Sequence, residues 1–308
     1  MRIGIVDLDT SHPPNWIPIE RDLGYEIVGV WDGGSVHPSG YAGQFAAEHG
    51  IPRVFESLDE MANEVDIAIL HGCDWDTHVE KARPFVTAGK SVLIDKPVAG
   101  NVRDLNQIRD WVRAGARIAG GSSLRFAAET QDWLAQPVSE RGRPDTVVCG
   151  CGVDEFNYGI HAYALLSGIM GPGVHSVRHL GRGVQRRIQI HWADGRAGFV
   201  VVGKAENWLP FYAAIATERS VAQFQVDSGR LYRSLLTAVL PYLSGTADEP
   251  PVGVDALLEP ERCALAARRS WLEKDREVLL EELSIEDEGY DGQAFAAEYR
   301  KARYPQSK

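Results

Sequence analysis

The chain has 308 residues, 44% of them hydrophobic, and 43 acidic against 32 basic side chains give a formal charge of -11. That length and apolar content suffice for two ordinary domains, and two are expected. The negative charge repels nucleic acid and anionic membrane surfaces, no basic run reverses it, and no apolar stretch reaches the ~18 residues of a membrane span.

The N-terminus also lacks the basic-then-apolar layout of a signal peptide, so a cytoplasmic protein with neither nucleic acid nor membrane as a partner is expected. The four cysteines, Cys73, Cys149, Cys151 and Cys263, form no C-x-x-C pair and have no companion histidine at zinc-finger spacing. They read as reduced, buried thiols.

In chain order, the first ~120 residues alternate short apolar runs with helical patterns, the signature of βαβ units feeding a parallel sheet. RIGIV (2–6), EIVGVWD (26–32), DIAIL (66–70), SVLID (91–95) and ARIAGG (116–121) read as strands. Helical stretches cover 41–49, 58–64, 75–88 and 101–114, with Gly89 as a left-handed stop. Pro18 falls inside the first crossover helix, which is therefore expected to be short, kinked, or to start only near Pro18.

After about residue 127 the texture turns β-rich: TVVCGCGV, HSVRHLGR, RRIQIHWADGRAGFVVVGKA and VAQFQVD. Asp194-Gly195 supplies the positive φ of a tight hairpin, so an antiparallel sheet is expected. Helices are expected over 161–170, 231–243 and 260–274, and from residue 284 onward a frayed helix at most. The fold class expected is α/β: a Rossmann-like, doubly wound parallel sheet over 1–122, then an α+β unit over 123–308. The latter carries a large, mostly antiparallel open sheet for substrate binding and oligomerisation, as a homodimer or homotetramer.

The first strand leads into DLDTSH, where a dinucleotide-binding unit would place its glycines. Two readings stay open for it. Leu8, Asp9, Thr10, Ser11 and His12 contact a diphosphate through backbone, hydroxyl and imidazole groups, or the segment merely caps a helix. Asp32, ending the second strand, is placed to accept from an adenosine ribose diol, with Gly33 and Gly34 leaving room beside it. A carboxylate there repels a 2′-phosphate, so NAD is favoured over NADP. Asp7, Asp9 and His12 are not expected to hold a metal.

Asp95-Lys96-Pro97 ends a central strand, at the edge of the sheet where ligands collect. Pro97 restricts the Lys96 backbone, and the ammonium could hold a substrate hydroxyl and stabilise developing alkoxide.

Taken with its neighbours, this stretch resembles the Gfo/Idh/MocA oxidoreductases, in which a T-P-x-x-x-H loop, a helix ending A-G-K and an E-K-P triplet recur in order. The counterparts are His71-Gly72-Cys73-Asp74, Thr77-His78, Ala88-Gly89-Lys90 and Asp95-Lys96-Pro97, and the likeness continues through residues 121–126 and YGIHAYALLSGIMGPGVHSV.

The resemblance implies cofactor contacts from His71, Gly72, Cys73, His78, Asp95, Lys96 and Pro97. It also implies a second-domain acid and, four positions later, a histidine: His161 matches the histidine, while the acid's position is Asn157. Lys96, His161 and Asn157 are the catalytic candidates, with His161 as general base. Lys96, Arg125, Asn157 and His161 are the substrate candidates, Arg125 for a carboxylate. The activity implied is NAD-dependent oxidation of a secondary alcohol of a small polyol, sugar or sugar acid. A redox-neutral enzyme with tightly held NAD and a non-catalytic ligand sensor are the alternatives.

Overall fold

The computed structural model describes residues 1–305. Its elements in order are β1 (Arg2–Val6), α1 (His12–Asp22), β2 (Glu26–Trp31), α2 (Tyr41–His49), α3 (Leu58–Glu64), β3 (Ile67–Leu70), α4 (His78–Thr87), β4 (Ser91–Asp95), α5 (Val102–Arg113) and β5 (Ile118–Gly121). There follow α6 (Ala128–Ala135), α7 (Val138–Arg141), β6 (Pro144–Gly152), α8 (Gly159–Met170), β7 (Val174–Arg182), β8 (Arg186–Trp192), β9 (Ala197–Val202), β10 (Leu209–Thr217) and β11 (Val221–Gln225). The last are α9 (Leu231–Leu243), α10 (Val254–Leu272), β12 (Val278–Leu279) and α11 (Gly292–Arg303), with short 3-10 turns at Trp75–Thr77, Ser123–Phe126 and Leu280–Glu282.

The first five strands form a parallel sheet in the order β2-β1-β3-β4-β5. Their near-continuous burial is what a parallel sheet covered on both faces requires. The order reverses between β1 and β3, so the ligand crevice of such a sheet lies above the carboxyl ends of these two strands.

The second sheet has seven strands in the order β11-β10-β6-β9-β8-β7-β12, antiparallel except for the β6–β9 pair. The Asp194-Gly195 hairpin joins β8 to β9, with Gly195 at φ +93°. The buried helix α8 packs on this sheet, and α10 spans both units. Leu257, Leu258 and Leu265 of α10 enter the core of the parallel sheet, while Cys263, Ala264, Ala266 and Ala267 enter that of the second. No helix among the described residues is long and apolar enough to cross a membrane.

Several expectations are corrected here. α1 is one helix of 11 residues from His12, not a short one near Pro18. Pro13 and Pro14 fall in its first turn, where a missing N–H costs little, and burial of Trp16 and Ile17 holds the helix across Pro18. The stretch 75–88 is a 3-10 turn followed by α4. Strand β10, not read from the sequence, alternates buried Phe211, Ala213 and Ile215 with half-buried neighbours. The tail is not frayed: α11 runs 12 residues, capped by Asp291, whose carboxylate accepts the Ala294 N–H at 2.7 Å.

Candidate active site

Strand β4 delivers Asp95 and Lys96, both buried, to the edge of the parallel sheet. The Lys96 ammonium donates to the backbone oxygen and to Oδ1 of Asn157, each at 3.1 Å. This ties the first unit to the loop between β6 and α8. Burial lowers the Lys96 pKa, against the opposing charges of Asp95 and Asp154, and its ammonium lies 5.4 Å from the centre of the Tyr158 ring.

Asp154 shapes that loop by accepting the N–H groups of Phe156 and Tyr158, both at 2.9 Å, rather than replacing the missing acid. Glu155 is turned to Arg186, 3.2 Å away. His161 follows one turn into α8, where the Ser122 hydroxyl lies 2.6 Å from its Nδ1. Burial, then the Lys96 charge, hold His161 well below the ordinary imidazole range. No carboxylate touches it among the described residues, so a proton taken there would set a second cation beside Lys96 in a low dielectric. The general-base role expected for His161 is not what this environment favours.

Asp95 organises a second group. Its Oδ1 accepts the Lys96 N–H at 2.7 Å, and its Oδ2 meets Nδ1 of His12 at 2.5 Å and Nδ1 of His71 at 3.0 Å. Burial alone would raise the Asp95 carboxyl, but the charges and hydrogen bonds of His12 and His71 hold it well below its usual range. The three ligating atoms lie within 4.8 Å of one another, and both nitrogens converge on one oxygen, as two donors do on one acceptor. His12 stacks on Trp16 and meets the edge of Tyr232 from α9. Sequence reasoning placed His12 at a phosphate and missed this pairing, whose partners are 83 residues apart.

The crevice between β1 and β3 is lined by side chains. Asp7, at φ +63°, takes Lys81 at 2.6 Å on Oδ2 and the Gly33 N–H at 3.1 Å on Oδ1. A Cβ on Gly72 would stand 2.7 Å from Asp7 Oδ2, so this close approach requires glycine there. Asp9 accepts the Cys73 N–H at 2.9 Å on Oδ2, while its Oδ1 is buried without a partner. Burial, then the Asp7 charge, push the Asp9 carboxyl up to about 7. Burial likewise raises the Cys73 thiol and the Asp32 carboxyl, which takes the Gly34 N–H at 3.2 Å. His78 bridges the carbonyls of Gly72 and Val98.

The amide cradle expected over Leu8–His12 is narrowed at its His12 end. The His12 N–H serves Thr10 Oγ1 at 3.2 Å, and Pro13 and Pro14 have none. Above the crevice lies α11. Ala296 packs on Val36 and Cys73, Arg300 donates to Gly34 O at 3.0 Å, and Tyr304 OH lies 2.7 Å from His37 Nδ1. His37 Nε2 in turn lies 2.9 Å from Leu8 O. Arg125 is a further correction. Its guanidinium donates to Ala256 O of α10 at 2.7 Å and lines a groove of about 500 Å³ with Gly168 and Gly253, a groove that includes neither Lys96 nor His161.

A dinucleotide fits these residues on different terms from those of a glycine loop. Asp32, just after the end of β2, offers a carboxylate that could accept from a ribose diol. The orphaned Asp9 Oδ1, on a carboxyl that burial keeps near neutrality, can donate to a phosphate beside the Lys81 cation. Lys96 and Asn157 stand where the reactive end would meet an alcohol. Helix α11 packs over the Val36–Cys73 side of this crevice.

Comparison with known proteins places these features. Residues 2–119 match the model of the GFO_IDH_MocA oxidoreductase family, NAD-binding Rossmann fold. The trans-1,2-dihydrobenzene-1,2-diol dehydrogenase of Danio rerio is 33% identical over 69 residues, 22% of this chain and 21% of that protein. The matched stretch thus spans about a fifth of the length of that curated relative. Two solved structures share the fold over nearly the whole chain. Scyllo-inositol dehydrogenase from Lactobacillus casei with NAD(H) and scyllo-inositol has a TM-score of 0.73 at 14% identity, covering 92% of this chain and 99% of that one. GenD2 from gentamicin A biosynthesis in complex with NAD has a TM-score of 0.74 at 17% identity, covering 91% and 96%.

Proposed function

We propose that the chain, whose residues 2–119 match the model of the Gfo/Idh/MocA family of NAD-binding Rossmann-fold oxidoreductases, oxidises a secondary alcohol of a small polyol, sugar or sugar acid with NAD. The observation that carries this reading is the junction at Lys96. A buried ammonium at the carboxyl end of a central strand meets Asn157 from the second sheet, with His161 one turn on. Binding of scyllo-inositol by one structural neighbour and of NAD by two supports the substrate class and the cofactor.

In this reading residues 1–122 bind the dinucleotide, and residues 123–308 bind substrate and form a homodimer or homotetramer through the open sheet. Asp32 favours NAD over NADP, since its carboxylate repels a 2′-phosphate. In the same reading the chain acts in the cytoplasm. The cofactor, when bound, accepts hydride from the carbinol carbon.

The protein's own part is to place and polarise the alcohol. Lys96 releases one of its bonds to Asn157, takes the substrate hydroxyl, and stabilises negative charge developing on that oxygen. Asn157, an amide that both donates and accepts, orients a neighbouring hydroxyl. His161, kept neutral and fixed by Ser122, offers Nε2 to the substrate as a hydrogen-bonding partner. Asp95 orders the strand end on which Lys96 sits.

A panel of polyols, sugars and sugar acids incubated with NAD tests the reading. NADH accumulating with at least one of them is the expected result. Nucleotide that stays bound without bulk reduction would move the assignment to the redox-neutral alternative, which the cover formed by α11 favours.

A further inference from the structure

We infer that His12, clamped by Asp95, is the proton acceptor of this site, so that the acid absent at position 157 is answered from the opposite unit. The inference rests on the alcohol-oxidation reading above.

Three imidazoles bear on this strand end, His12 and His71 on Asp95 and His161 on Ser122, and their surroundings differ. His161 has its Nδ1 committed to Ser122 and no carboxylate partner. The His71 side chain has no solvent exposure, and its Nε2 is buried without a partner, so it has no route for a proton in or out. His12 alone joins a carboxylate partner, at 2.5 Å, to a side chain that remains 12% exposed.

The orientation follows from the hydrogen bonds. An ionised Asp95 can only accept, so the facing Nδ1 of His12 carries the proton and Nε2 carries the lone pair. The ring is fixed by a stack on Trp16 (5.5 Å, 11° between planes) and by the edge contact with Tyr232 at 5.0 Å. When Nε2 takes a proton, Asp95 stabilises the imidazolium without itself being protonated, the division of labour of a histidine–aspartate pair.

The base and the ammonium hang from one strand end, because Asp95 binds His12 through Oδ2 while binding the Lys96 N–H through Oδ1. Proton acceptor and alkoxide stabiliser are thus set by adjacent residues, which the chain's own backbone spaces. His71 is a positioning residue: its bond to the same oxygen fixes the carboxylate plane.

The step balances as follows. The alcohol O–H bond breaks and its proton goes to His12 Nε2. The carbinol C–H bond breaks and its electron pair leaves with the hydrogen to the oxidant, a nicotinamide dinucleotide. The carbon is oxidised to a ketone. The proton on His12 passes to solvent through the exposed side of the ring.

Two measurements test this. In the full chain without substrate, long-range ¹H–¹⁵N spectra of the imidazoles are expected to show His12 protonated at Nδ1 with a strongly downfield proton that Asp95→Asn removes. Diethylpyrocarbonate should modify His12 before His71 or His161.

In the active enzyme, His12→Gln is expected to lower kcat by roughly 10²–10⁴-fold, with KM changed far less and NAD binding retained, and His12→Ala should regain turnover with added imidazole. Wild-type turnover in His12→Gln, or a His12 ring with no proton on Nδ1, overturns the assignment. A chain that binds NAD but oxidises no alcohol rejects the reading on which the inference rests and with it His12 as acceptor of an alcohol proton, whereas alcohol oxidation that survives His12→Gln rejects the inference alone.

Discussion

Asp7 Oδ2 and Lys81 Nζ meet at 2.6 Å on the floor of the β1–β3 crevice, with the Asp7 side chain fully buried and that of Lys81 only 9% exposed. Breaking a buried pair strands a charge, at about 3–5 kcal/mol, whereas removing both members does not. Lys81→Met is therefore expected to lose on the order of that much stability in urea unfolding, and Asp7→Asn/Lys81→Met to recover most of it. Equal losses in the single and double variants would mean that the pair is not coupled.

In the proposed NAD site, Asp9 is expected to give cofactor binding a pH dependence. Its carboxyl, at about 7, is neutral below that value and can donate to a phosphate; above it the charge repels a diphosphate. At about 4 Å that repulsion is worth roughly 1–4 kcal/mol. Titration calorimetry is expected to show NAD binding weakening several-fold from pH 6 to pH 8, and Asp9→Asn flattening the change. A wild-type profile as flat as that of the variant would remove Asp9 from the phosphate site.

Glu20 is buried in α1 with neither carboxylate oxygen partnered, and burial raises it to about 8. The folded chain thus holds a proton that the unfolded chain releases near 4.5. Stability contributed by the protonated form is complete below pH 4.5 and is lost as pH rises toward 8. Glu20→Gln should leave stability near pH 5 almost unchanged and raise it by a few kcal/mol at pH 8, on the order of 1.4 per pKa unit. Chemical denaturation at the two pH values decides, and equal effects at both would contradict the burial argument.

Helix α11 guards the crevice through two polar contacts besides its apolar seat, Arg300 to Gly34 O and Tyr304 to His37. Cutting both in Arg300→Ala/Tyr304→Phe is expected to speed NAD association in stopped-flow tryptophan fluorescence, with the unfolding midpoint little changed. An unchanged rate would show that α11 does not limit entry.

Much of the fold was legible because local and global signals agreed. The five parallel strands are short apolar runs, and Gly195 and Gly89 mark turns that only their backbone freedom allows. Strand β10 was missed because Ala213, Ala214 and Ala216 carry little β signal; its place is set by pairing with β6 and β11. α11 reads as no more than a frayed helix in the sequence because its apolar face has meaning only against Trp75 and Cys73, more than 200 residues earlier.

The site divides in the same way. Lys96, Asn157 and His161 could be placed from a local motif and its spacing. The His12–Asp95–His71 cluster joins the start of α1, the end of β4 and the residue after β3, and the turn of Arg125 toward Ala256 depends on where α10 packs. Neither leaves a trace in periodicity.

The central claim is that hydride leaves a carbinol carbon held at Lys96. A polyol substrate deuterated at that carbon, incubated with NAD and enzyme, tests it most directly by the isotope found in the recovered nucleotide. The account predicts deuterium in the NADH formed by the wild type, and a loss of roughly 10²–10³-fold in that transfer in Lys96→Met, with NAD still bound. Deuterium appearing only in water, or transfer undiminished in Lys96→Met, would contradict it.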